Sequence, residues 1–281
     1  MIAGAYEYEA PNTLDDAHKL AAQAGAVLLA GGQSLITDLK RADASPSVVV
    51  DLRRIESLRT SGDDGWGAMV TLDDIAAQVG ASPSALTDAL EAIRDPQVRN
   101  RATIGGSVAL VHQGADLPAV ALAMGASITI AGPSGTRSVE AADFVTASAD
   151  DRLQQGEIVI AVRIPSRAPG SGSAYEKMAN PASGYAICGV AASVALSAGK
   201  IDGAVIGLAG AGPTAISLAQ TAKSLAGEPA TDDAVTKAAA TAADGLQMPV
   251  DLAAPSDYRA HLTRVLTARA LRRAIQRATE G

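Results

Sequence analysis

Apolar and polar positions along this chain alternate between a helical and a strand period, and the switches between them outline the fold. Leu14, Ala17, Leu20, Ala21 and Ala24 make one apolar face and predict a helix over 14–24. Asn12 or Thr13 caps it, Asp15 and Asp16 complement its dipole, and Gly25 ends it. An apolar run predicts a strand over 26–30. The loop Gly31-Gly32-Gln33-Ser34 follows, then a short helix over 35–40. Pro46 breaks the chain before a second strand over 48–52, and a polar, turn-rich stretch over 59–65 ends this first unit.

A short strand is expected over 67–70. Thr71 and Asp74 then have capping-box spacing for a helix reaching 79. Ser82 as cap and Pro83 at the first position predict a helix to 94, with Leu86, Ala89, Leu90 and Ile93 inward. Residues 95–107 read as a long irregular stretch ending in a second glycine pair, Gly105-Gly106. Asp116 is expected to cap a helix through 124, closed by Gly125. Residues 127–131 and 136–139 form a hairpin across Gly132-Pro133-Ser134-Gly135, and a further strand covers 157–164. The Pro-, Gly- and Ser-rich segment 165–173 reads as a linker. Beyond it, strands over 174–178, 188–196 and 201–208 precede helices over 216–226, 232–245 and 256–277. The fold class is α+β, with an antiparallel sheet and packed helices at the C-terminal end. The units fall at 1–57, 58–168 and 169–281.

Composition narrows the function. Hydrophobic residues are 48% of the 281, yet aromatics are 2%, with one Trp, one Phe and five Tyr. The core is therefore aliphatic, and there is no base-stacking platform for single-stranded nucleic acid. The net charge of −7 and the lack of a basic stretch, apart from Arg269, Arg272, Arg273 and Arg277, exclude a phosphate-tracking surface. One cysteine, Cys188, excludes a disulfide framework and an iron–sulfur cluster ligated within this chain, and its apolar surroundings predict a buried thiol. His18, His112 and His261 are too scattered for a metal site. Residues 1–8 lack the features of a signal peptide, and no apolar run is long enough to span a bilayer, so the expected location is cytoplasmic, with no transmembrane segment.

The candidate chemistry lies in the glycine pairs. Each is followed by a small polar residue. Glycines let a ligand approach the main chain, and consecutive N–H groups at such a turn form a concavity for anions. Each loop alone is equally a plain turn. Two of them in adjacent units suggest an extended diphosphate held between backbone donors. A competing motif, Gly210-Ala211-Gly212-Pro213-Thr214-Ala215, matches a dinucleotide fingerprint. It is discounted: its strand is expected to pair as a hairpin, a polar loop stands where a second parallel strand is needed, and Pro213 lacks a donor.

Several stretches together give a resemblance. Ala30-Gly31-Gly32-Gln33-Ser34-Leu35, Arg99-Asn100-Arg101-Ala102-Thr103-Ile104-Gly105-Gly106-Ser107, Ala115-Asp116-Leu117-Pro118-Ala119 and Tyr175-Glu176-Lys177 occur in order. With Tyr258-Arg259 and Arg269-Ala270-Leu271, the chain resembles the FAD-binding medium subunit of the molybdenum hydroxylases: aerobic carbon monoxide dehydrogenase, nicotine- and purine-type dehydrogenases, and the middle segment of xanthine dehydrogenase. The resemblance implies a two-lobed FAD-binding domain of the PCMH/vanillyl-alcohol-oxidase type, with lobes at 1–57 and 58–168. It implies a C-terminal domain at 169–281 like that of the carbon monoxide dehydrogenase flavoprotein.

Residue by residue, the resemblance implies that Ala30, Gly31, Gly32, Gln33, Ser34 and Leu35 wrap the FAD pyrophosphate from one lobe. Thr103, Gly105, Gly106 and Ser107 do so from the other. Asp116 lies where the family bonds the adenosine ribose, and Val159 where it packs the adenine. Lys177 projects towards the flavin ring; a solvated strand lysine is the alternative. The sequence departs from many relatives at Ile36-Thr37-Asp38-Leu39 and resembles the carbon monoxide dehydrogenase type at Asn180-Pro181-Ala182-Ser183-Gly184-Tyr185-Ala186. No acidic partner for the flavin is therefore carried over at Gly184 or Tyr185, and Tyr185 is expected near the isoalloxazine. No residue in this chain is assigned a catalytic acid–base role.

The reading is a non-covalent FAD electron-transfer subunit, an oxidoreductase component. By resemblance its partners are a small subunit with [2Fe–2S] clusters and a large molybdopterin subunit, in a dimer of heterotrimers, passing electrons to a quinone or other acceptor. A subunit of an N-heteroaromatic or aldehyde dehydrogenase, a stand-alone FAD oxidoreductase and a cofactor-free accessory protein are the alternatives.

Overall fold

The computed structural model describes residues 5–62, 65–80 and 82–280. Its first sheet is small and parallel. β1 (Glu7–Glu9), α1 (Leu14–Ala21), β2 (Ala26–Leu29), α2 (Leu35–Arg41) and β3 (Val48–Asp51) follow in sequence, and the strand order is β1-β3-β2. The central β3 is buried along its whole length, which is why it reads as a continuous valine run rather than an alternation. Thr13 caps α1, its hydroxyl accepting from the Asp16 N–H, but the helix stops at Ala21 rather than 24.

The second sheet is antiparallel. β4 (Ser61–Gly62) and β5 (Gly65–Gly67) lead into α3 (Leu72–Val79), α4 (Ala85–Ala92), α5 (Pro96–Arg99), α6 (Ile104–Ala109) and α7 (Asp116–Ala123). β6 (Ser127–Gly132), β7 (Gly135–Glu140), α8 (Ala141–Thr146), α9 (Ala149–Arg152) and β8 (Ile158–Arg163) complete it, in the order β4-β5-β8-β6-β7. The β6–β7 hairpin closes at Gly132 opposite Gly135, as the turn residues foretold.

Four expectations in this region need correction. The strand expected at 67–70 lies at β5, because Ala68 and Met69 already turn and the Met69 N–H bonds back to the Leu58 carbonyl. Ser84, not Ser82, caps α4: the Ser84 hydroxyl accepts from the Thr87 N–H while the Thr87 hydroxyl accepts from the Ser84 N–H. Residues 95–107 are not irregular throughout, since Asp95 caps α5 and Thr103 caps α6. Asp116 is the first residue inside α7 rather than its cap, so its carboxylate is free to reach elsewhere.

The third sheet is antiparallel, in the order β12-β11-β10-β9. It consists of β9 (Ser171–Ala179), β10 (Ala186–Ser197), β11 (Lys200–Ala209) and β12 (Ile216–Ser217), followed by α10 (Ala219–Leu225), α11 (Asp232–Ala240) and α12 (Ser256–Glu280). The expected linker is shorter than 165–173, because β9 already begins at Ser171. Ile216 starts an edge strand, not a helix, since residues 216–217 pair with β11, and α11 ends at Ala240 rather than 245. α12 covers one face of this sheet, and α7 with α4 the other. β10 therefore contributes Cys188, Val190, Ala192 and Val194 to one core, while Ala191 faces the other. α7 is buried on every side, which fits its lack of a polar face. It approaches β11 so closely that a Cβ on Gly207 would lie 2.3 Å from the Ala119 carbonyl oxygen.

The Rossmann-like motif is structural here. Gly210 directly follows the antiparallel strand β11, and a Cβ on it would sit 2.2 Å from the Ile187 carbonyl oxygen. The arginines near the C-terminus are largely spent on internal ion pairs. Arg277 forks onto Asp88 of α4 at 2.7 and 2.8 Å, Arg273 joins at 3.0 Å, and Arg272 pairs with Asp232. Arg259 is wholly buried and grips Asp251 at 2.7 and 2.8 Å, together with the Ile187 and Gly210 carbonyls. Burial works against the ionised Asp251, but hydrogen bonds from Arg259, Ala254, Gln113 and Ala253 win and hold its carboxyl down at about 2. Cys188 is buried, as expected, beside the Thr263 hydroxyl.

Candidate functional site

A cleft of about 1020 Å³ opens where the three sheets meet, at the upper end of the range for cofactor sites. Every residue singled out in the sequence lines it: Ala30 to Leu35, Thr103, Gly105, Gly106, Ser107, Asp116, Val159, Lys177 and Tyr185.

The two glycine loops touch. A Cβ on Gly31 would lie 2.1 Å from the Arg101 carbonyl oxygen, so the first loop packs main chain to main chain on the second. A Cβ on Gly106 would lie 3.2 Å from the Ala30 Cβ. The donors of the two loops differ. In the first, the N–H groups of Gly31, Gly32, Gln33, Ser34 and Leu35 have no protein acceptor among the described residues. Gly32 turns the chain at φ +76°, a conformation that favours glycine. In the second, the donors are already used. Gly105 N–H bonds to the Ala68 carbonyl, Gly106 N–H to the Thr103 hydroxyl oxygen at 3.3 Å, and Ser107 N–H to the Thr103 carbonyl. What this loop turns to the cleft is the bare Gly106 and the hydroxyl of Ser107, which bonds nothing among the described residues. Five successive N–H groups without a protein acceptor among the described residues, on a loop that lines the cleft, are the donors an extended diphosphate needs.

Part of the lining is apolar: Val159 on β8 lines the cleft, as do Ile158, Ala68, Leu72, Ile93 and Val98. Arg94 and Asp95 line the same cleft and were not singled out in the sequence; they lie just beyond α4, and only the packing of α4 against the sheets brings them in.

The remaining wall comes from α7 and β9. Asp116 accepts from the Lys177 ammonium at 2.7 Å and from the Tyr175 hydroxyl. Burial pushes the Asp116 carboxyl up, while Lys177 and then Tyr175 pull it back; the Tyr175 hydroxyl is raised by burial and by Asp116. The alternative of a solvated lysine does not hold, because the Lys177 side chain is only 4% exposed. Tyr185, which lines the cleft, stacks on His112, ring centroids 4.1 Å apart. The Tyr185 hydroxyl meets no protein partner among the described residues, and burial raises it while lowering the His112 imidazole. The sequence reading missed His112 because a lone histidine carries no signal without its stacking partner.

The comparisons agree with this geometry. Residues 4–167 match the model of the FAD binding domain in molybdopterin dehydrogenase, and residues 173–274 that of the CO dehydrogenase flavoprotein C-terminal domain. The chain belongs to this medium-chain flavoprotein family. It is 36% identical over 280 residues to the carbon monoxide dehydrogenase medium chain of Hydrogenophaga pseudoflava, covering 96% of this chain and 97% of that one. It is 30% identical to the 6-hydroxypseudooxynicotine dehydrogenase complex subunit alpha of Paenarthrobacter nicotinovorans, covering 99% and 97%. A solved carbon monoxide dehydrogenase from Hydrogenophaga pseudoflava, lacking the Mo-pyranopterin moiety, superposes with a TM-score of 0.92 at 34% identity, covering 99% of both chains. The chain is thus an FAD-binding oxidoreductase component of the α+β fold expected, and its family works in complexes with other subunits. Among the described residues no side-chain cluster could hold a metal and no helix is long and apolar enough to cross a membrane.

Proposed function

We propose that this chain is the electron-transfer medium subunit of a carbon monoxide dehydrogenase-like molybdenum hydroxylase, working beside a small [2Fe–2S] subunit and a large molybdopterin subunit in a dimer of heterotrimers. The observation that carries its cofactor site is the run of unpaired N–H groups from Gly31 to Leu35, set against the bare face of Gly106. Ala30 to Leu35 hold the pyrophosphate by their backbone donors. Thr103, Gly105, Gly106 and Ser107 close the opposite side, chiefly by leaving room. Val159 offers an apolar seat for the adenine. Asp116, whose Oδ2 holds the Lys177 ammonium at 2.7 Å, works at the same end of the cofactor as Lys177, so its remaining lone pairs serve a ribityl hydroxyl rather than the adenosine ribose. Lys177 and Tyr185 serve the flavin-ring end. Bound FAD supplies the chemistry, accepting electrons singly and releasing them in pairs; the chain binds, orients and tunes it. A cytoplasmic location is part of the same proposal.

The test is purification of the chain from its native cells. FAD, iron and molybdopterin should copurify with two companion chains, and dye reduction should follow carbon monoxide. Reduction by an N-heteroaromatic or an aldehyde instead would move the complex to a sister branch of the family. Flavin without iron, molybdenum or companions would make the chain a stand-alone oxidoreductase.

A further inference from the structure

The cleft wall formed by α7 and β9 holds a buried polar trio, one member of which the FAD site does not use directly. Tyr175 and Lys177 lie two positions apart on β9, hence on one face of the strand. Both reach Asp116: its Oδ1 accepts from the Tyr175 hydroxyl, its Oδ2 from Lys177 Nζ at 2.7 Å. Asp116 and Lys177 line the cleft, whereas Tyr175 does not. It lies behind them, and its hydroxyl occupies the space above Gly189, where a Cβ would be 2.2 Å away. Gly189 is the register partner of Lys177 on β10, so a glycine directly opposite the lysine makes room for the tyrosine that steers it. The Tyr175 N–H is itself held by Asp88 at 2.9 Å, and Arg277 and Arg273 fix Asp88.

Burying an ion pair is costly, and an apolar trio of the same shape would often be as stable. The Lys177 ammonium has three donors, and one is met by protein among the described residues. A trio built only for stability has no reason to leave charge with unspent donors at a cleft wall. We infer that Tyr175 is a positioning residue for the cofactor cleft: by holding one oxygen of Asp116 it fixes the other as the tether of Lys177, and so sets from behind the charge that the wall presents to FAD. The inference rests on the FAD reading of the cleft.

The experiment uses the full-length chain, titrated with FAD and followed by flavin fluorescence, with the flavin midpoint potential measured on the loaded protein. Tyr175→Phe should weaken FAD binding about tenfold, the scale of one hydrogen bond to a charged group. It should also lower the midpoint potential, in the direction of Lys177→Met, since Asp116 then turns its full charge on the ammonium. The Tyr175→Phe and Lys177→Met effects on affinity should be coupled rather than additive. If Tyr175→Phe folds poorly, 3-fluorotyrosine at 175, a stronger donor of nearly the same shape, decides the matter by moving the potential the opposite way. Additive effects with an unchanged potential, or an unmoved potential in the fluorotyrosine protein, would overturn the inference. Gly106→Leu serves as the control. If it loses FAD while both Tyr175 variants match the parent, the inference falls and the placement of FAD in this cleft stands; if Gly106→Leu also keeps FAD, the placement of FAD against this half of the cleft falls.

Discussion

The two glycine pairs read alike in the sequence and do different physical work. Gly31-Gly32 heads a loop whose next N–H groups are unpaired, so it can receive an anion. Gly105-Gly106 opens a capped helix whose N–H groups already have acceptors. Its glycines serve clearance. A Cβ on Gly105 would lie 2.5 Å from the Ala68 Cβ, whereas Gly106 is exposed in the cleft. A shared motif can thus split one task in two, with one loop binding and the other standing aside.

That division can be broken by substitution. The largest effect is expected at Gly31, whose Cβ would meet main chain that cannot yield. Gly31→Ala should lower stability by about 3 kcal/mol, roughly 5–10 °C in melting temperature, and should abolish FAD retention; a melt like the parent's would show that the loops do not interlock. Next come Gly106→Leu and Gly32→Val. Gly106→Leu should lose flavin, and because its Cβ would stand 3.0 Å from the Thr103 hydroxyl and 3.2 Å from the Ala30 Cβ, the apoprotein should also melt a few degrees below the parent, less than Gly31→Ala. Gly32→Val should lose flavin and also pay about 1–2 kcal/mol for its positive φ. Full flavin in either variant would mean that its half of the clamp is misassigned. The smallest effect sharpens the contrast between the caps. Thr103→Ala removes a real N-cap bond and should cost about 1 kcal/mol in chemical denaturation. Ser34→Ala, at a residue that makes no such bond, should leave stability unchanged.

Much of this molecule was legible in advance where the signal is local. The Thr13 and Thr71 caps, the β6–β7 hairpin and the long C-terminal helix follow from residues within a few positions of each other. The start of α4 was misplaced by two residues because Ser82-Pro83 and Ser84 offer competing caps, and reciprocal bonding with Thr87 decides for Ser84. The helices within 95–107 escaped notice because they are too short to show a period. Asp116 was the instructive case. As a cap it would have been a local feature, but its partners Tyr175 and Lys177 lie 59 and 61 residues further on.

By itself the sequence determined the order of the longer elements, the aliphatic core and the glycine motifs that mark the family, because propensity, period and turn chemistry act over short stretches. Only the tertiary structure decided which backbone donors stay free, which glycine yields space and which carboxylate tethers Lys177. Those properties depend on what each group meets across the cleft, and distance along the chain does not encode it.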